Sequence, residues 1–154
     1  MIFLDLDLKP LYSSLIATMA FGIIFNVPKK TITSGGIIGM LGWSIYTWLI
    51  DVLKYEMVSA TLVAAFFVAN FSQVLARYHK IPVTVFSISG IIPLVPGGLA
   101  YDTMRNFVEN DYLTGVRLGT KTLLISGAIA FGLIISGVIS QTIRGKERNY
   151  VKES

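Results

Sequence analysis

The sequence predicts an all-α integral membrane protein of about five transmembrane helices, the fourth broken by a Pro/Gly elbow, plus one amphipathic helix. Three observations carry that reading. Of 154 residues, 14% are charged and 53% hydrophobic, whereas soluble domains average roughly 25% charged residues. The charges are also segregated. Residues 10–28, 31–50, 57–76, 81–101 and 122–143 contain no Asp, Glu, Lys or Arg, in runs of 19, 20, 20, 21 and 22 residues, and a spanning helix needs about 20. Finally, Pro93-Leu94-Val95-Pro96-Gly97-Gly98 puts two prolines and two glycines into otherwise membrane-grade sequence. Proline removes a backbone donor and clashes with the preceding turn. Backbone freed in this way at membrane depth survives only where protein or a water-lined cavity satisfies it.

Taken in order, residues 1–9 alternate apolar and acidic side chains and are expected at the interface. Asp5 and Asp7 stand where a signal peptide would be positive, so the first run is expected to be a retained span, about 11–27. Asn26-Val27-Pro28 ends it, because the residue before proline is pushed out of the α region. Span two, about 32–50, holds a glycine-rich stretch from Ser34 to Gly42. No Lys-Ser/Thr follows and no strand precedes, so it is not a phosphate loop. Gly35 and Gly39 instead read as a helix-packing face. Trp43, Tyr46 and Trp48 read as an aromatic belt at the outer end.

Span three, about 57–75, carries Ala60, Ala64, Ala65 and Ala69 at small-residue spacing. Asn70, Ser72 and Gln73 are polar near its far end. They serve either as interhelical hydrogen bonds, worth about 0.6 kcal/mol each, or as substrate contacts. His79, between Arg77 and Lys80, reads as a solvated loop residue against the alternative of a proton relay. Span four, about 81–99, contains Ser87, Ser89 and Gly90 before the break. Residues 102–112 then place Met104, Phe107, Val108 and Tyr112 at helical spacing between Asp102, Arg105, Asn106 and Glu109, which makes an amphipathic helix. Span five, about 118–143, repeats Ala128, Gly132, Ser136 and Ser140 every four residues, a packing face that implies a tight neighbour. A basic tail, 144–154, completes a single membrane domain.

The net charge of +4 does not point to nucleic acid, because the basic residues fall in short loops between spans. One side collects Lys29, Lys30, Arg77, Lys80, Arg144, Lys146, Arg148 and Lys152. The other has Lys9, Lys54, Arg105, Arg117 and Lys121. The positive-inside rule places the N-terminus outside and the C-terminus in the cytoplasm. There is no cysteine and one histidine, and no nucleophile elbow, phosphate loop or paired intramembrane carboxylates. The residues call for no cofactor, no metal and no enzymatic chemistry. Asp51 and Asp102 are the span-end candidates for a proton-carrying carboxylate, against the alternative of an interfacial charge, and the case for Asp102 is the better because it adjoins the break.

The stretch from Gly90 to Gly98, followed by Tyr101-Asp102, resembles the signature of the threonine/serine exporter family. The chain is similar to the small-subunit type, which corresponds to the C-terminal membrane half of the fused exporters. The resemblance covers most of the chain in length and span pattern, and its specific motif is the proline-rich stretch. It implies a bacterial inner-membrane exporter of small hydrophilic metabolites, with threonine and serine as named substrates and succinate associated with a split form. It further implies export drawing on the proton motive force and a larger multi-span partner subunit or a homo-oligomer.

The residues and the resemblance together give a substrate-pathway hypothesis. Pro93, Pro96, Gly97 and Gly98 form a non-helical elbow where backbone N–H groups meet a substrate carboxylate. Ser89, Asn70 and Gln73 add side-chain hydrogen bonds. Asp102 adjoins the break, and Arg105 either attracts a carboxylate or pairs with Asp102 or Glu109. The competing reading is a non-transporting assembly subunit that packs through Gly35, Gly39, Gly132 and Ser136.

Overall fold

The computed structural model describes residues 8–150, with side-chain surroundings for residues 9–142. The acidic segment 1–7 and the side chains of the basic tail lie outside the described residues. Among the described residues the chain is all-helical, with no strand: α1 (Leu8–Ile24), α2 (Lys29–Asp51), α3 (Met57–His79), α4 (Val83–Ile91), a 3₁₀ turn (Ile92–Leu94), α5 (Gly97–Val108) and α6 (Tyr112–Tyr150).

The punctuation follows from local chemistry. Asn26, Lys54, Lys80 and Asn110 each take a left-handed conformation, with φ of 54°, 54°, 53° and 63°, in the four loops that reverse the chain. Pro28 and Pro82 stand immediately before α2 and α4, where a fixed φ suits helix entry. Two of the last carbonyls of α3 are closed by backbone: Lys80 N–H reaches Ala76 and Arg77, and Ile81 N–H reaches Ala76 at 3.1 Å.

Helix α3 is the centre of the bundle, with α2, α4 and α6 packed around it. Its small side chains explain why. Ala60, Ala64 and Ala65 are fully buried, and Ala69 and Ala76 nearly so, which lets neighbouring backbones come close. Gly132 of α6 lies so near that a Cβ there would sit 2.9 Å from the Leu62 carbonyl oxygen. Further along the same seam Gln73 Nε2 donates to the Ser136 carbonyl and hydroxyl at 3.0 and 2.8 Å, and Arg77 donates to Ser140 Oγ at 2.9 Å. These pairs rise in number together, so α3 and α6 run parallel. On the other side α1 pairs with α2, where Gly36 faces Met19 and Gly39 faces Thr18. Ile38, Val68, Phe86, Leu94 and Ile125 form the apolar centre between the layers.

The structure redraws the fourth and fifth segments. The charge pattern predicts one span over residues 81–99 followed by an amphipathic helix over 102–112. Instead α4 ends at Ile91, a 3₁₀ turn carries Pro93, and the chain bends by 55° before α5 begins at Gly97. Gly97 and Gly98 are therefore the first turn of the amphipathic helix rather than part of a non-helical elbow. The break itself is Val95-Pro96, because proline at position 96 has no N–H to continue α4 and its fixed φ starts a new helix. α6 likewise starts at Tyr112 rather than Leu118. Thr103 against Gly119 and Phe107 against Gly115 zip α5 antiparallel to this early part of α6.

Two helices are each long and apolar enough to cross a membrane, Met57–His79 and Tyr112–Thr142, and the bent pair Val83–Leu94 with Gly97–Val108 makes a third if it is one span. α1 is short for a span. α2 has 23 residues, but its threonines, serines and glycines dilute its hydropathy.

Candidate functional site

The bend opens a cavity of about 280 Å³ lined by Pro93, Leu94, Val95, Pro96, Gly97, Gly98 and Leu99, with Trp43 and Tyr46 of α2, Met57 and Thr61 of α3 and Ile125 of α6 around it. Its backbone geometry is set residue by residue. Val95 is extended (φ −65°, ψ 127°). Pro96 (φ −78°, ψ 55°) makes an inverse γ-turn that brings Gly97 N–H to the Val95 carbonyl at 2.8 Å. Ala100 N–H then donates to Pro96 at 3.0 Å and opens α5. Between these bonds, the N–H groups of Gly98 and Leu99 belong to the first helical turn, which has no acceptor within the helix. No side chain caps this end, and no acidic residue lies in its first turn. A Cβ on Gly97 or Gly98 would meet nothing within 4 Å, so no close contact demands glycine here, and both are exposed residues of the cavity lining.

One polar group of the walls has the same donor character. Trp43 Nε1–H is buried and has no hydrogen-bond partner among the described residues, and its ring tilts against Tyr46 at a centroid distance of 5.3 Å. The Thr61 hydroxyl donates to the Met57 carbonyl at 2.7 Å. Among the described residues no carboxylate lines the cavity. The arrangement offers N–H donors and partial positive charge, which is the chemistry that receives a carboxylate.

The remaining residues singled out by sequence fall elsewhere. Ser89 is buried, donates to Val85 at 2.9 Å and packs its Cβ on Gly35. Asn70 donates to Phe66 at 2.8 Å, and Gln73 is held by Ser136. Both lie toward the other end of α3, where they line a second cavity with Arg77 and Ser140. Thr61 and Gln73 are twelve residues apart, about 18 Å along a helix. Asp102 is exposed, and its backbone carbonyl accepts from Asn106 Nδ2 at 2.7 Å. Arg105 Nε donates to Glu109 Oε1 at 2.8 Å on the same helix face, with both side chains exposed. The sequence reading thus spread one site over two ends of the bundle. It assigned Trp43 and Tyr46 to an interfacial belt and left out Thr61; the signal that links them to the elbow is tertiary, the return of α4 along α2 and α3.

Comparison with known proteins agrees with the proline-rich motif at the bend. Residues 11–139 match the family model described as threonine/serine exporter, ThrE. The chain belongs to the threonine/serine exporter family. A relative from Haemophilus influenzae, described as an uncharacterized protein, is 32% identical over 146 residues that cover 86% of this chain and 48% of the relative. The chain therefore spans about half the length of that curated relative. No solved structure matches it. Membership fixes a membrane-transport family rather than an enzyme family, and the apolar helices α3 and α6 agree with a membrane protein.

Proposed function

We propose that this chain is a subunit of an exporter of small amino or organic acids, threonine- or serine-like or a dicarboxylate such as succinate, and that the cavity at the bend receives the substrate carboxylate. The observation that carries the proposal is the donor-lined space before Gly97 and Gly98. Pro93 and Pro96 hold the bend, Gly98 and Leu99 N–H groups face the ligand, and Trp43 and Tyr46 form the opposite wall. Asn70, Gln73 and Ser89 belong to the continuation of the pathway along α3 and α4 rather than to the first contact. Family membership supports the transport reading without naming the substrate.

The same proposal places five passes in a bacterial inner membrane, N-terminus outside, with export driven by the proton motive force. Helices α1, α2, α3 and α6 would each cross once and the bent pair once, an arrangement supported by the antiparallel packing of α1 on α2 and by the basic residues Lys29, Lys30, Arg77 and Lys80 at one end. The described charge-free windows supply no midplane carboxylate, so the proton is carried by Asp51 or Asp102, both outside those windows, or by a partner. A partner subunit of several spans supplies the facing wall, in keeping with a relative twice this length.

The competing function is a non-transporting assembly subunit; the close contacts at Gly35, Gly39, Gly132 and Ser136 are made within this chain, so on that reading the partner docks on another face. Counterflow in proteoliposomes decides between them, using labelled threonine, serine and succinate with and without the partner. Counterflow that requires this chain supports the exporter reading. Full-rate transport by the partner alone supports the assembly reading and removes the first.

A further inference from the structure

At the end of α3 away from the bend lies a cavity of about 650 Å³ lined by Gln73, Ala76, Arg77, Lys80, Ile81, Pro82, Val83 and Ser140. It adjoins the smaller space lined by Asn70, Gln73, Arg77 and Ser140, and the two share Gln73, Arg77 and Ser140. We infer that this cavity is a second oxyanion site, built for a carboxylate or phosphate group by Arg77 and Lys80.

Four features of the cavity support this. Two cations line it and, among the described residues, no carboxylate does. The one ion pair among the described residues is Arg105–Glu109, so neither Arg77 nor Lys80 is neutralised by a described acid. Nor do the two cations cap the Ala76 and Arg77 carbonyls of α3, which are already taken by the backbone N–H groups of Lys80 and Ile81. Finally, the polar neighbours are held in place: Gln73 is anchored on Ser136, and one guanidinium nitrogen of Arg77 rests on Ser140 Oγ at 2.9 Å. An arginine fixed through one nitrogen still presents its other N–H groups in a planar fork suited to an oxyanion. The start of α4, after Pro82 and with no side-chain cap, adds partial positive charge to the same space.

Helix α4 and its 3₁₀ turn join this cavity to the one at the bend, since Val83 lines the first and Pro93 and Leu94 line the second. Thr61 and Arg77, sixteen residues apart on α3, set the two about 24 Å from each other. That spacing suits the loading and release ends of one solute route, and this assignment of the ligand as transported carboxylate rests on the exporter reading. The oxyanion site itself does not. A phospholipid headgroup offers the same chemistry, so the test separates the two sources.

The full chain is purified into phosphatidylcholine nanodiscs in a Gly98→Leu background, which adds a bulky side chain to the lining of the cavity at the bend, and titrated calorimetrically with succinate. Arg77→Gln with Lys80→Asn, the latter compatible with the left-handed backbone at that position, is expected to weaken succinate by at least about tenfold, one charge-assisted hydrogen bond. Arg77→Lys, which keeps the charge, guards against misfolding and is expected to lose less than the double variant. In parallel, native mass spectrometry counts phosphatidylglycerol retained from mixed nanodiscs. Loss of succinate binding assigns the site to a solute carboxylate. Loss of retained phosphatidylglycerol alone assigns it to a lipid phosphate. If the well-folded double variant changes neither, the site is refuted, whatever the export assays show.

Discussion

Replacing Gly98 by leucine separates folding from transport, because the position is in a helix yet faces open space. No atom lies within 4 Å of a Cβ built there, and leaving glycine in a helix is favourable by up to about 1 kcal/mol. The variant is therefore expected to insert and to melt no lower than the parent. The cavity is another matter. At ~30 Å³ per heavy atom, the share of a water molecule in the liquid, the four side-chain carbons of leucine occupy about 120 Å³. If all four enter the cavity of about 280 Å³, about 160 Å³ is left. Threonine and succinate each have eight heavy atoms, about 240 Å³ on the same measure. Forcing such a ligand into the remainder costs about 1–3 kcal/mol, which is roughly a tenfold or greater loss of binding. Efflux of labelled threonine, serine and succinate from proteoliposomes, beside size-exclusion profiles and thermal melts, checks both halves. Normal efflux from a well-folded Gly98→Leu refutes the cavity as substrate site, and a lowered melting temperature refutes the open-space geometry.

Three further substitutions probe the frame around it. Gly132→Ala drives a methyl to 2.9 Å from the Leu62 carbonyl oxygen and 3.0 Å from Ala65 Cβ; because backbone cannot swing aside, a loss of about 1–3 kcal/mol is expected, read as a lower melting temperature in detergent. Gln73→Leu removes the bonds to Ser136 and is expected to cost about 0.6 kcal/mol per bond, a small shift on the same melt; a shift of several kcal/mol would show that Gln73 holds more than this seam. Trp43→Phe deletes a buried donor without a partner, whose retention costs about 1–3 kcal/mol. The ligand-free variant is expected to be at least as stable as the parent while its counterflow falls. A clear loss of stability would mean that the indole N–H is already satisfied.

The sequence shows α3 and α6 plainly, because long charge-free windows and small residues every fourth position depend on nothing beyond the chain's own periodicity. It also shows that the chain must break near Pro93–Gly98. It does not show on which side of the break each residue falls. Gly97 and Gly98 look like helix breakers by propensity, yet Pro96 starts a helix and the glycines tolerate its first turn. Asn70 and Gln73 look like pathway residues because polar amides in a span are conspicuous. Their place, a dozen residues beyond Thr61, emerges only when the return of α4 sets the bend against the first turns of α3. Trp43 is the converse case: an aromatic near a span end reads as an interfacial anchor, and only packing brings its buried N–H to the wall of a cavity.

The chain contains two tryptophans, and the fold gives them different surroundings. Trp43 lies in the cavity wall beside Tyr46, while Trp48, five residues on, is 42% exposed near the end of α2. With Trp48→Phe, all indole emission comes from the wall of the bend. The molecule then carries its own optical reporter at the place where solute is proposed to dock, and occupancy can be followed by light in the membrane without a label.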